Sequence, residues 1–230
     1  MKEGLSKGVA PNVPAPTTID APNMKTMEAP KLDIQASKSA GDMQLARGGR
    51  NVAAEIANSM AREMVNNANS STCANIRAKW QSNWPNDKID ALRMWADMVG
   101  YGRPWDHKQF LRDNYGEWHQ DTDRNVQWYF DIWSNIHYGY VGRACGFSVG
   151  TLLDGAGLAQ LLGSNVPGGF WGWLERAGTH GIVPALDDSS DQYACTIGTV
   201  LWGQNFDGGT IRHLMWGGRS SLTHRGSGNA

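Results

Sequence analysis

The stretch from Phe130 to Phe147, FDIWSNIHYGYVGRACGF, constrains this chain more than any other segment. A segment that only fills a core would be built from Leu, Val and Ala, because buried polar groups cost free energy unless they are partnered. Glycine allows backbone approaches that a Cβ atom would block. We therefore expect this stretch to line a functional site. It contains four polar residues (Asp131, Asn135, His137, Arg143), three aromatic residues (Trp133, Tyr138, Tyr140) and three glycines (Gly139, Gly142, Gly146).

Apolar residues recur at helical spacing outside this stretch. Val52, Ile56, Met60 and Met64 lie four residues apart, which places them on one face of a helix. Similar patterns predict helices at 71–84, 86–99, 151–162, 191–203 and 210–217. Residues 110–128 have no clear period and are predicted to form a surface loop, and short strands fit only around 127–133 and 180–186. The sequence predicts a mainly α fold, with one compact helical domain and long ordered loops.

Composition divides the chain into three parts. Residues 1–48 hold five of the nine prolines and no aromatic residue, so they cannot bury enough apolar area to offset the entropy of ordering. We predict a disordered Pro-rich tail at 1–48, a folded domain at 49–217 and a flexible C-terminal tail at 218–230. No apolar run suits a cleaved signal peptide or approaches the ~20 residues of a membrane span. We expect a soluble protein that does not insert into membranes.

The three cysteines, Cys73, Cys145 and Cys195, cannot all be paired with one another. Cys145 and Cys195 could form a disulfide if the protein acts in an oxidising compartment, but free buried thiols are the favoured state. No Cys-x-x-Cys pair occurs, which argues against a structural zinc site.

Two further polar clusters flank the central stretch. Trp105, Asp106, His107 and Lys108 follow Pro104, which biases the preceding residue to an extended shape, so they emerge from a turn. The second cluster is the run DDSSD at 187–191. A helix N-terminus favours one nearby carboxylate, but three would repel one another unless a metal, a base or a shared proton relieves them. Each cluster is a candidate part of a site, or alternatively a solvated loop.

The segments WDHK at 105–108, DIWSNIHYGYVGRACGFS at 131–148 and DDSSDQ at 187–192 resemble the polymorphic toxin type 44 family in order and spacing. The resemblance covers roughly residues 84–217. It implies an antibacterial effector of interbacterial competition, released by a specialised secretion system without a cleaved signal peptide. It also implies a cognate immunity protein in the producing cell and contact with a secretion-system component. The family has been proposed to contain RNases.

The resemblance and the residue types together give the candidate site residues. The run DTDR at 121–124 is not part of the family's motifs and is left out. Predicted catalytic residues are Asp106, His107, Lys108, Asp131, His137, Asp187 and Asp188. Predicted substrate-binding residues are Trp105, Trp133, Asn135, Tyr138, Tyr140, Arg143 and Asp191.

Two hydrolytic mechanisms fit these residue types, beside a binding effector without catalysis. In an RNase, His137 and His107 would act as base and acid while Lys108 or Arg143 neutralises the phosphorane. The net charge of −1 and the acidic run at 187–191 count against that mechanism, unless the acids hold a divalent metal. No cofactor, or such a metal ion, is therefore expected.

In a cell-envelope hydrolase, two carboxyl groups would act across a glycosidic bond of the wall glycan or on a lipid-linked wall precursor. Asp106, Asp131 and Asp187 are candidates, and the abundant Trp and Tyr residues suit stacking on sugar rings. We favour this mechanism, with action in the periplasm of the target bacterium, over the cytoplasmic RNase.

Overall fold

The computed structural model describes residues 49–153 and 188–227. In chain order, its elements are α1 (Val52–Ala68), α2 (Ser71–Gln81), α3 (Pro85–Val99), α4 (Lys108–Tyr115), β1 (Trp118–Asp121), β2 (Val126–Tyr129), α5 (Asp131–Ala144), α6 (Val149–Leu153), α7 (Ser189–Leu201), α8 (Gly208–Gly217), a 3-10 helix (Arg219–Ser221) and β3 (His224–Gly226). The predicted mainly α fold is confirmed. The predicted tail at 1–48 and the possible strand at 180–186 lie outside the described residues.

Helix α1 is the scaffold on which the described helices assemble. Asn51 caps it by accepting a hydrogen bond from the Ala54 N–H at 3.0 Å, which satisfies one of the free donors of the first turn. The predicted apolar stripe is buried: Ile56, Met60 and Met64 are almost completely inaccessible. This stripe packs against α8 and α5. The four-residue spacing therefore predicted both the helix and its buried face.

Helices α2 and α3 form a pair of packed helices beside α1. Ser70 caps α2 through a hydrogen bond from the Cys73 N–H. Pro85 occupies the first turn of α3, where its missing N–H has no helical partner to lose. The helix ends at Gly100, as predicted. Residues 71–99 thus form two helices that pack chiefly against each other.

Helices α5 and α7 cross in the closest contact of the described fold, and two glycines permit it. A Cβ on Gly139 would collide with the carbonyl oxygen of Cys195, and one on Gly198 with the carbonyl oxygen of Ile136. Gly142 gives the side chain of Leu152 similar room. The expectation that the central glycines allow close approach is therefore confirmed. The crossing brings the first turns of α5 and α7 to the same side of the protein.

The segment 110–128 is not the predicted surface loop. It contains most of α4 and the antiparallel hairpin β1–β2, whose register pairs Trp118 with Tyr129 and Asp121 with Val126. Asp121 is fully buried and accepts two hydrogen bonds from the guanidinium of Arg212 on α8. A buried ion pair of this kind anchors the hairpin to the helices.

The C-terminal segment is also more ordered than expected. Residues 218–230 were predicted to be a flexible tail, but His224–Gly226 form strand β3, which pairs antiparallel with β2. Ahead of the strand, Thr223 donates its backbone N–H to the Ser190 hydroxyl on α7 at 2.9 Å. Pairing with β2 supplies backbone hydrogen bonds that the polar composition of this segment does not reveal.

All three cysteines are free and buried, as favoured from the sequence. The suggested pairing of Cys145 with Cys195 is wrong, because the sulfur of Cys145 lies 3.2 Å from that of Cys73 instead. Within residues 49–153 and 188–227, no helix is long and apolar enough to cross a membrane.

Candidate functional site

Three helices begin at the candidate site. Lys108 opens α4, Asp131 opens α5, and Asp188 caps α7 by accepting a hydrogen bond from the Ser190 N–H at 3.0 Å. Asp191 lies in the first turn of α7. Asp131 and Asp191 interact electrostatically with each other, and each of them also interacts with Asp188 and with the Lys108 ammonium. We call Asp131, Asp188, Asp191 and Lys108 the acidic cluster.

Asp191 is the carboxyl group whose proton affinity changes most in the acidic cluster. Burial raises its pKa to about 7, and the neighbouring charge of Asp131 adds to the increase. The Lys108 ammonium and a 2.7 Å hydrogen bond donated by Asn135 Nδ2 act in the opposite direction. Near neutral pH, Asp191 therefore carries a proton for a large part of the time.

Asp131 is its counterpart at the start of α5. Burial raises the pKa of Asp131 as well, while the Lys108 ammonium and the backbone N–H groups of the first turn favour its ionised form. One carboxylate oxygen, Oδ1, has no hydrogen-bond partner among the described residues. Two carboxyl groups that repel each other while one holds a proton form an arrangement typical of acid–base sites.

Tyr129 and Cys195, which were not predicted as site residues, also border the acidic cluster. Burial and the charges of Glu117, Asp131 and Asp191 raise the pKa of Tyr129, which is half-buried at the end of β2. Cys195 lies one turn after Asp191, and burial together with the Asp191 charge raises its pKa to about 12. The only sequence signals are the position of Tyr129 two residues before Asp131 and the four-residue spacing of Cys195 from Asp191.

Two predicted binding residues also lie at the acidic cluster. Asn135 is buried one turn after Asp131 and holds Asp191, as described above. Tyr138 packs against Trp95, with ring centroids 5.2 Å apart, and interacts electrostatically with Cys195. Burial raises the pKa of Tyr138, so its hydroxyl stays protonated. Tyr138 and Cys195 therefore form a neutral layer next to Asp191.

His107 and His137 meet each other but lie in the core. Their rings are nearly perpendicular, with centroids 4.6 Å apart, and the side chains are 4% and 0% exposed. Burial lowers the pKa of His107 to about 4, and burial followed by the nearby His107 lowers the pKa of His137 well below its usual value. Both rings are neutral at pH 7, and both are almost completely shielded from solvent.

The two histidines continue into a buried polar network on α1. Asn67 Nδ2 lies 3.0 Å from His137 Nε2 and donates to Glu63 Oε1 at 3.1 Å. With the amide oriented in this way, His137 Nε2 accepts and its proton is on Nδ1. Neither His137 Nδ1 nor His107 Nε2 has a partner among the described residues. The pair thus joins α1 to α5 and to the turn before α4.

Asp106 holds the turn before α4 in place through hydrogen bonds to the backbone. Its two carboxylate oxygens accept hydrogen bonds from the backbone N–H groups of Gly102, at 2.9 Å, and of Lys108, at 3.1 Å. The neighbouring Trp105 is buried, with its ring 5.9 Å from that of Trp95. These contacts fix the turn that brings Lys108 to the acidic cluster.

Three other predicted site residues lie away from the acidic cluster. Trp133 is fully buried and donates its indole N–H to His119 Nδ1 at 2.9 Å. Tyr140 packs on Trp202 and Phe206, and Arg143 donates to the carbonyl of Phe147 at the far end of α5. Asp187 lies outside the described residues. Over the part of the chain that the structure describes, no group of three or more His, Cys, Asp or Glu side chains is arranged to hold a metal ion.

Comparison with known proteins gives one match. Residues 94–204 match the family model described as Bacterial toxin 44. This range is narrower than the 84–217 estimated from the sequence, but it contains all three polar motifs and the whole acidic cluster. No curated protein and no solved structure matches the chain.

Proposed function

We propose that this chain, which carries a bacterial toxin 44 domain over residues 94–204, hydrolyses a glycosidic bond of the bacterial cell envelope. The proposal assigns the role of general acid to Asp191 and the role of nucleophile or base to Asp131. The observation that carries it is the raised pKa of Asp191, about 7, beside a second carboxylate. A glycosidase requires such a pair, because one carboxyl group must give a proton while the other acts as a carboxylate.

In this mechanism, Asp191 donates its proton to the oxygen of the leaving sugar. Asp131 acts from the opposite side of the scissile bond, as base for a water molecule or as nucleophile at the anomeric carbon. Lys108 favours the ionised form of Asp131, which is the form that either role requires. Asn135 orients Asp191 through the 2.7 Å hydrogen bond. The half-buried rings of Tyr129 and Tyr138 supply flat surfaces of the kind on which sugar rings stack.

The RNase mechanism receives less support from the same residues. It requires His107 and His137 to exchange protons with a substrate, but both are buried in the core and neutral at pH 7. Lys108 interacts electrostatically with Asp131 and Asp191, and these carboxyl groups repel a phosphate backbone when they are ionised. A cytoplasmic RNase is therefore an outcome to be tested against the envelope hydrolase.

The decisive assay digests purified cell-wall sacculi and total RNA side by side, each with and without a chelator. We expect release of soluble glycan fragments from sacculi and intact RNA. Asp191→Asn should lower the rate at least about 100-fold, since it removes the general acid. Asp97→Asn, which changes an exposed carboxylate on α3, is the matched control and should leave the rate unchanged. Degraded RNA with intact sacculi would refute the proposal. Loss of sacculus hydrolysis in the presence of the chelator would show that the reaction requires a metal ion and would contradict a mechanism that uses the two carboxyl groups alone.

The compartment and partners form a second part of the proposal. We expect delivery by a specialised secretion system, action in the periplasm of the target cell, and neutralisation by an immunity protein in the producer. Expression of the domain directed either to the cytoplasm or to the periplasm of a test bacterium distinguishes the compartments. Killing only from the periplasm is expected, and killing only from the cytoplasm would contradict the envelope target.

A further inference from the structure

Cys73 and Cys145 form a thiol pair far apart in sequence but adjacent in space. Cys73 lies in the first turn of α2 and Cys145 caps the C-terminus of α5. Their sulfur atoms are 3.2 Å apart, and both side chains are completely buried. A disulfide bond of about 2.0 Å would require the sulfurs to approach by roughly a further 1 Å.

Arg77 holds this pair in place and makes its two thiols unequal. The guanidinium donates to the carbonyl of Ala144 at 2.5 Å and lies 3.7 Å from the Cys73 sulfur. The hydrogen bond from Cys145 and the Arg77 charge together lower the pKa of Cys73, whereas the same hydrogen bond and burial raise that of Cys145. Cys73 is therefore the more nucleophilic thiol of the pair, because the thiolate is the attacking species.

Cys195 is unsuited to the same chemistry. It lies on α7 next to the carboxyl group of Asp191, and burial with that negative charge raises its pKa to about 12. Its backbone carbonyl faces Gly139 across the α5–α7 crossing. The surroundings of the three cysteines thus favour a bond between Cys73 and Cys145 and leave Cys195 as a free thiol.

We propose that Cys73 and Cys145 form a disulfide bond when the chain folds in an oxidising compartment. The thiolate of Cys73 attacks a glutathione disulfide and releases one glutathione thiolate. The thiolate of Cys145 then attacks the Cys73 sulfur of the mixed disulfide and releases the second glutathione. Two cysteine thiols are oxidised, one glutathione disulfide is reduced to two thiols, and the two protons pass to the glutathione products.

The bond would tie α2 to the end of α5 across 72 residues of chain. A cross-link over a loop of this length restricts the unfolded chain strongly and raises the unfolding temperature by about 10 °C. In a reducing cytoplasm the pair would remain as thiols. The bond would therefore give the protein more stability outside the producing cell than inside it. This inference does not rest on the substrate proposed above.

The test refolds the reduced, denatured full chain in a mixture of reduced and oxidised glutathione, because both sulfurs are buried once α2 has docked. Peptide mapping by mass spectrometry without reductant should identify a Cys73–Cys145 cross-link, and thiol titration should find one free thiol instead of three. The unfolding temperature should fall by about 10 °C on addition of a reductant.

Cys195→Ala is the matched control, and it should keep both the cross-link and the reductant-dependent shift. Cys73→Ala should lose both. A refolded wild-type chain that keeps three free thiols, or a map that links Cys195, would overturn the inference. The wild-type map decides this outcome even if a cysteine variant fails to fold.

Discussion

Replacement of His107 by phenylalanine tests whether the histidine pair is part of the core. A phenylalanine ring keeps the edge-to-face contact with His137, whose centroid lies 4.6 Å away, but it cannot bind a proton. In the folded protein the pKa of His107 falls from 6.5 to about 4 because the ring is buried. At 1.36 kcal/mol per pH unit, this difference corresponds to about 3 kcal/mol.

The sign follows from proton binding in the two states. Between pH 6.5 and about 4, the unfolded chain holds a proton at His107 that the folded protein does not. Stability from this group is therefore fully present above the unfolded pKa and is lost as the pH falls toward the folded pKa. The groups facing the ring include His137, which is also neutral, and behind it Asn67 and Glu63.

The assay is urea unfolding of wild type and His107→Phe at about pH 7.5 and about pH 4.5. Between these conditions, the variant should lose about 2–3 kcal/mol less stability than the wild type. His213→Phe, at an exposed position on α8, is the control and should lose as much as the wild type. An equal loss in His107→Phe would refute the burial argument. Loss of toxicity in a stably folded His107→Phe would favour the RNase mechanism.

Three further substitutions test the scaffold and the site. Gly139→Ala should lower the free energy of unfolding by about 3 kcal/mol, because the added Cβ collides with the backbone of α7. Gly217→Ala is the control: its Cβ would meet open space, so thermal unfolding should show little change. Arg212→Met should cost about 3 kcal/mol in urea unfolding, since buried Asp121 keeps its contact with Arg124 but loses the guanidinium that binds both of its oxygens. Asn135→Leu should raise the pKa of Asp191 above about 7, because it removes the hydrogen bond that favours the carboxylate; an unchanged ¹³C NMR titration would contradict that role.

The helices were predictable because their cores follow a simple period. The spacing of Ile56, Met60 and Met64 sets a helix face that stays buried in the fold. The glycines of the central stretch also indicated close packing. At Gly139 this is the case, because the backbone of α7 occupies the space that a Cβ would need. In contrast, strands of three or four residues are too short for alternation to be recognised. Strand β3 gains its partner β2 from about 100 residues away in sequence.

The candidate site was predictable in part. Its motifs named Lys108, Asp131, Asp188 and Asp191, which interact in the structure. The sequence could not show that His137 lies in the core and not at the site, because the residue type and its neighbours in sequence do not reveal whether a histidine is buried. The partners that account for its burial, Asn67 and Glu63, lie on a helix with an ordinary amphipathic pattern.

The central claim is that Asp191 supplies a proton near neutral pH, and the pH profile of sacculus hydrolysis tests it most directly. Activity should decline on the alkaline side with an apparent pKa near the value of about 7 held by Asp191. Asp191→Asn should lower the activity at least about 100-fold while the unfolding transition stays in place. A sacculus hydrolysis rate that does not decline with pH through this range, or one that is unchanged in Asp191→Asn, would contradict the account.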